Sequence, residues 1–166
     1  HVQDAASADR LAALAAKLTN TDKFVLVCGD LVQNGRREDV IAFTNAMRAA
    51  TAPLGIPWYA VPGNHDLYFS GYTNYREHIG RSMYTFAAGP LRIIALDSAN
   101  GTLGRRQRDW LESTLLSRAE QFCIVFTHFQ FFSPSVTETQ QYTDIEETAF
   151  LMHLFTARSV SYVLSG

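Results

Sequence analysis

The chain has 166 residues, 47% of them hydrophobic and 18% charged, enough to enclose a core and too apolar for a disordered chain. Its 14 basic and 16 acidic residues give a formal net charge of −2, and the densest basic patches are Arg36-Arg37 and Arg105-Arg106-Gln107-Arg108, so a dedicated nucleic-acid surface is not indicated. No apolar run is long enough to span a bilayer, and Cys28 and Cys123 each lie inside an apolar run, as buried free thiols do.

Leu11, Leu14 and Leu18 mark one face of a first helix, with Asp4 or Ser7 as its cap. Phe24–Cys28 reads as a buried strand that ends in Gly29-Asp30. A helix is expected from Arg37 to Ala50, with Val40, Phe43 and Met47 inward, broken by Pro53, Gly55 and Pro57. Strand Trp58–Val61 follows and runs into Pro62-Gly63-Asn64-His65-Asp66. A polar and aromatic loop is expected from Leu67 to about Arg81. Met83–Ala87 and Leu91–Leu96 flank Ala88-Gly89-Pro90 and predict an antiparallel hairpin. A helix from Arg105 to Ser117 carries Trp110, Leu111 and Leu115. Strand Phe122–Phe126 ends in Thr127-His128, and a loop with Phe129, Phe131, Phe132 and Pro134 comes next. Asp144 or Thr143 caps a last helix with Ile145, Met152 and Phe155 inward, and Ser159–Leu164 is a closing strand. Strands alternating with helices predict an α/β domain with a mainly parallel sheet, made mixed by the hairpin.

Three strand-like runs thus finish in metal-binding side chains: Asp30, Asn64 and His128. Ligands of open α/β sheets bind at the carboxyl ends of strands. Gly-Asp and Thr-His alone are more often a turn and a packed histidine. Gly63-Asn64-His65-Asp66 is different, because a turn needs only its glycine and asparagine. A metal site is therefore favoured over coincidence. Phosphate esters resist hydrolysis because nucleophile and phosphate are both anionic. A pair of divalent metals removes that obstacle. Asp30 suits a bridging carboxylate, Asn64 a neutral oxygen donor and His128 an imidazole donor for zinc, iron, nickel or manganese. His65 is placed to protonate a leaving oxygen or bond the phosphate, and Asp66 to orient His65 or a ligand. Aromatic residues of the two loops, among them Tyr68, Phe69, Tyr72 and Phe129, are read either as an apolar wall for an organic leaving group or as local packing. His78 and His153 are read as structural.

Gly29-Asp30-Leu31-Val32-Gln33-Asn34-Gly35, Gly63-Asn64-His65-Asp66 and Thr127-His128 together resemble the second, third and fourth motif blocks of the calcineurin-like metallophosphoesterases. Leu96-Asp97-Ser98, with Gly104, Gln107, Trp110 and Leu111, resembles a segment of the phosphodiesterase-like and phosphatase branches. The resemblance covers essentially all of residues 1–166 as one domain. It implies a four-layer α/β/β/α sandwich, a dinuclear centre of two divalent or trivalent metals, and attack on phosphorus by a metal-bridging hydroxide. It assigns Asp30 to bridge the metals, Asn64 and His128 to ligate one of them, and His65 to serve the leaving group. It also leads to the expectation of truncation at both ends. His1 is either the histidine of the family's first Asp-x-His block or a frayed terminal residue, and Ser165-Gly166 stops where the last Gly-His-x-His block begins. After His128, Phe129-Gln130 departs from the second histidine and proline of many relatives.

The expected partner is a phosphorylated small-molecule or nucleotide-like substrate, a diester favoured over a monoester by the resemblance at Gln107 and Trp110. The alternative is a non-catalytic interaction domain that keeps the fold, and a third reading is another two-metal hydrolase such as an amidase. The compartment is open, with the cytoplasm favoured, and neither the oligomeric state nor the metals can be read from the sequence.

Overall fold

The computed structural model describes residues 11–131, 142 and 144–166. His1, Phe132, Pro134 and Thr143 lie outside the described residues, as does the proposed cap of the first helix; residues 11–15 are helical. The regular elements, in chain order, are β1 (Val25–Cys28), α1 (Arg37–Thr51), β2 (Trp58–Val61), α2 (Gly71–His78), β3 (Tyr84–Ala88), β4 (Leu91–Ala95), α3 (Gly104–Ser117), β5 (Phe122–Phe126), α4 (Ile145–Ala157) and β6 (Tyr162–Leu164). Short 3-10 turns occupy Ala52–Leu54 and His65–Leu67. No helix among the described residues is long and apolar enough to cross a membrane.

The strands form two sheets. β1 and β2 pair in parallel, Val25 opposite Trp58 and Cys28 opposite Val61. The second sheet has the order β3-β4-β5-β6, antiparallel between β3 and β4 and parallel from β4 to β6. Period-two alternation gives each inner strand two apolar faces. Leu26, Cys28, Tyr59 and Val61 meet Phe86, Ile93, Ala95 and Phe126 between the sheets. Tyr59 stacks on Phe86 with centroids 4.1 Å apart, and Phe24 meets Phe86 edge-on at 5.8 Å. The opposite face of the β1-β2 sheet, with Val25, Val27, Trp58 and Ala60, packs on Val40, Phe43 and Met47 of α1. Ile94, Cys123 and Val125 on the opposite face of the larger sheet pack on Leu111 and Leu115 of α3 and on Leu151, Leu154 and Phe155 of α4. The layers are therefore α/β/β/α.

Two features lock the layers together. The hydroxyls of Tyr75 and Tyr84 both donate to the Ala60 carbonyl, at 2.7 and 2.8 Å, tying α2 and β3 to β2. The buried Glu147 of α4 accepts from the amides of Leu103 and Gly104, at 2.7 and 3.0 Å, and so caps α3 from a different helix.

Two expectations fail. The segment 67–81 is not a loop, since it carries the 3-10 turn at His65–Leu67 and α2. Only Gly71 and Tyr75 of α2 are buried, so it shows no apolar periodicity to betray it. The last helix turns Phe155 inward as expected, but not Ile145 or Met152. Ile145 and Met152 are 85% and 52% exposed, while Glu147, Leu151, Leu154 and Phe155 face inward. Apolar residues occupy most sides of Phe150–Phe155, which leaves the phase undetermined by pattern alone. Asp144 does cap this helix, accepting from Glu147 N at 2.9 Å. Both cysteines are free thiols, and burial pushes the pKa of each up.

Candidate metal centre

The carboxyl ends of β1, β2 and β5 bring three of the expected ligands together. Nε2 of His128 lies 3.1 Å from Oδ1 of Asn64 and 3.4 Å from Oδ1 of Asp30. The backbone is shaped for this approach. Gly29 and Asp30 both have positive φ, 84° and 50°, so the chain turns sharply out of β1 and swings the Asp30 carboxylate toward β2. A β-carbon on Gly29 would stand 2.7 Å from Nδ1 of His128, and one on Gly63 would strike the Asp30 carboxylate and amide. Glycine is needed at both places because ligand-bearing segments fill the space.

His128 is oriented by its other ring nitrogen. Nδ1 is 2.9 Å from the Cys28 carbonyl, which can only accept, so Nδ1 carries a proton. In the neutral ring Nε2 then presents its lone pair to two oxygens. A proton on Nε2 or a metal ion among the three atoms reconciles them equally, and the donor set of carboxylate, amide oxygen and imidazole suits a divalent transition metal. Asp30, Asn64 and His128 thus fit a metal. Among the described residues no group of three or more His, Cys, Asp or Glu side chains is gathered to hold a metal ion.

The His128 backbone is held as well. The Ser98 hydroxyl accepts from the amides of His128 and Phe129, at 3.2 and 2.8 Å, and receives the Thr127 hydroxyl at 2.7 Å. The β5-β6 ladder continues to Gly166, whose amide donates to the His128 carbonyl at 3.0 Å. A side chain at Gly166 would strike the Cys28 carbonyl, so this glycine seats itself beside the same ligand. Cys28 and Ser98 were missed as positioning residues. The first acts through its backbone, which no side-chain pattern reveals, and the second shows only as part of Leu96-Asp97-Ser98.

His65 stands next to this cluster. Its amide donates to Asp30 Oδ1 at 3.1 Å, and its ring lies edge-on to Tyr68 at 5.4 Å. Its Nδ1 is 3.0 Å from the Gln33 carbonyl and 3.1 Å from the Gln33 side-chain nitrogen. Gln33 therefore satisfies Nδ1 whether it carries a proton, which the carbonyl accepts, or a lone pair, which the amide donates to. Gln33 lies in the second motif block but had no role from sequence alone.

Asp66 supports the site through the backbone. It is 1% exposed and accepts from three backbone amides, Gly63 at 2.7 Å, Val32 at 3.0 Å and Leu31 at 3.1 Å. These bonds staple the turn after β2 to the turn after β1 and hold Asn64 beside Asp30. Asp66 thus positions the backbone that carries Asn64. Burial pushes its pKa up, and the three amide bonds oppose that shift.

The loop aromatics divide. Tyr75 is fully buried and Phe131 packs on Tyr142 and Phe155, whereas Phe129 lies 4.9 Å from the His128 ring and Tyr68, Phe69 and Tyr72 are exposed. Gln107 is a clamp: its side chain accepts from Asp97 N at 2.7 Å and donates to Asp97 O at 2.8 Å. It holds the turn after β4 and is not a ligand of the centre. His153 is exposed, and Nε2 of the partly buried His78 has no hydrogen-bond partner among the described residues.

The chain thus presents a two-sheet α/β/β/α sandwich with Asp30, Asn64 and His128 converging at strand ends. The calcineurin-like phosphoesterase pattern matches residues 1–166, and the chain belongs to that family. The family consists of metal-dependent hydrolases of phosphate esters, which implies divalent metal ions here. The chain is 30% identical over 117 residues to a probable glycerophosphodiester phosphodiesterase from Arcobacter nitrofigilis, covering 63% of this chain and 40% of that protein. It is 28% identical over 171 residues to a serine/threonine-protein phosphatase from Rattus norvegicus, covering 90% and 54%. The chain thus spans about half or less of the length of these relatives. A dimetal phosphatase from Danio rerio shares the fold, with a TM-score of 0.72 at 16% identity over 96% of this chain and 70% of that one.

Proposed function

We propose that the chain carries out phosphate-ester hydrolysis at a dinuclear metal centre, with Asp30 as the bridging carboxylate and Asn64 and His128 as ligands of one metal. The observation that carries this reading is the approach of His128 Nε2 to Asn64 Oδ1 and Asp30 Oδ1, at 3.1 and 3.4 Å, from the ends of three strands. When bound, divalent metals supply a water nucleophile active at neutral pH and a positive clamp on the phosphate oxygens. His65 then has the proton chemistry. With Nδ1 satisfied by Gln33 in either protonation state, Nε2 can hand a proton to the departing oxygen and take one back. Tyr68 and Phe129 border the two histidines and suit the organic part of an ester. The substrate class proposed is phosphate esters, with diesters favoured over monoesters by the resemblance at Gln107 and Trp110.

The test is hydrolysis of bis(p-nitrophenyl) phosphate and p-nitrophenyl phosphate in the presence of manganese, zinc or nickel. The expected outcome is metal-dependent turnover of at least one substrate, abolished in Asp30→Ala. Equal turnover by wild type and Asp30→Ala would remove the mechanism.

A further inference from the structure

A second polar cavity opens beside α2 and α3, with a volume of about 460 Å³. That is the size of a small-molecule site. None of Asp30, Asn64, His65 or His128 lines it. Arg76, Arg81 and Arg106, from three separate segments, line it. Among the described residues, no side-chain hydrogen bond or ion pair engages any of the three. Elsewhere on the surface arginines pair readily: Arg37 with Glu77, Arg92 with Glu120, Arg105 with Asp109 and Arg108 with Glu147. Arg106 also stands in the first turn of α3, which holds no acidic residue, where the helix dipole disfavours a cation. One carboxylate, Asp97, lines the same wall. It accepts from the Ser82 hydroxyl and the Ala99 amide and adds at most one negative charge against three guanidiniums, so the wall keeps a positive excess. A chain of net charge −2 has thus gathered unpaired positive charge around one concavity.

From this geometry we infer that the cavity is an anion-binding pocket for a small organic molecule with two or more negative charges, of the phosphorylated class. Guanidinium forks match phosphate oxygens in two-point bonds, and three of them around one concavity select for more than one charge. Tyr72 and Ser82 also line it, but the Ser82 hydroxyl bonds Asp97 and stands 3.5 Å from the Tyr72 hydroxyl, so the arginines are the donors that face an occupant. The pocket adjoins the metal centre through successive residues: Asp97 lines it, while Ser98 holds the His128 and Phe129 amides. An occupant that moves the turn after β4 therefore acts on a ligand-bearing backbone.

The experiment is calorimetric titration of inorganic pyrophosphate into the full chain, stripped of metal with excess chelator so that the metal centre takes no part. The expected result is saturable binding at one site per chain. Affinity should fall at least tenfold in Arg81→Gln and in Arg106→Gln, and stay within twofold of wild type in Arg48→Gln, an exposed arginine of α1 remote from the cavity wall. All three arginines are exposed, so the variants keep the fold. Absence of saturable binding at millimolar pyrophosphate would overturn the inference, as would equal weakening by Arg48→Gln. Neither outcome bears on metal-dependent ester hydrolysis, which is measured separately.

Discussion

Gly63 is pressed against Asp30: a β-carbon on the glycine would overlap the carboxylate oxygen and the amide of the aspartate. The first turn of the metal centre is thus fitted into the second with no room for a methyl group. Gly63→Ala should cost about 1–3 kcal/mol in stability, the usual penalty for overpacking. It should also weaken metal binding by at least about tenfold, as disturbance of a ligand's support does. Urea denaturation and metal titration of the variant check both.

Asp66 accounts for the registry of the same two turns. Asn in its place can accept through one oxygen only, so at least one of the amides of Gly63, Leu31 and Val32 loses its partner in a buried setting. An unpaired buried amide costs about 1–3 kcal/mol. Asp66→Asn should therefore lower the urea midpoint, and an unchanged midpoint would show that the staple carries no stability.

His65 separates chemistry from ligation. His65→Ala should slow turnover of an aryl phosphate by about 10²–10⁴-fold, the range of general acid catalysis, while metal content stays at the wild-type level. Matched loss of metal and turnover would reassign His65 as a ligand. Gln33→Ala, which keeps the carbonyl but removes the donor to Nδ1, should reduce kcat less than His65→Ala does and alter the pH profile.

The inward face of α4 is open to a direct check. Leu151→Ala should destabilise the chain by about 2–5 kcal/mol, because Leu151 is fully buried. Met152→Gln and Ile145→Gln should change stability by less than about 0.5 kcal/mol, as surface substitutions do. The reverse ordering would restore the face expected from sequence.

Legibility in the sequence followed the strength of the local signal. Val25–Cys28, Trp58–Val61 and Phe122–Phe126 are short apolar runs bounded by glycine or polar turns, and their ends named Asp30, Asn64 and His128. The Ala88-Gly89-Pro90 break located the hairpin. What escaped was set by tertiary packing. The helix Gly71–His78 owes its place to Tyr75 bonding Ala60, and Gly71 abuts the Asp66 carbonyl, so no periodic face was needed. The phase of Ile145–Ala157 depended on Glu147 reaching the start of α3, a contact between residues more than forty apart. Asp66 was expected to orient His65 or a ligand, and only its three backbone partners show that it works through the two turns. Gln33 and the Cys28 carbonyl were silent for the same reason, since a supporting bond to a histidine leaves no mark on composition or spacing.

The most direct measurement is manganese binding to the purified chain by calorimetry, wild type against Asp30→Ala and His128→Ala, with folding of each verified by circular dichroism. The expected result is metal binding by wild type, weakened at least about tenfold in each variant, because each removes one donor of a converging set. Folded variants that bind manganese as tightly as wild type would contradict the convergence of Asp30, Asn64 and His128 on a shared cation.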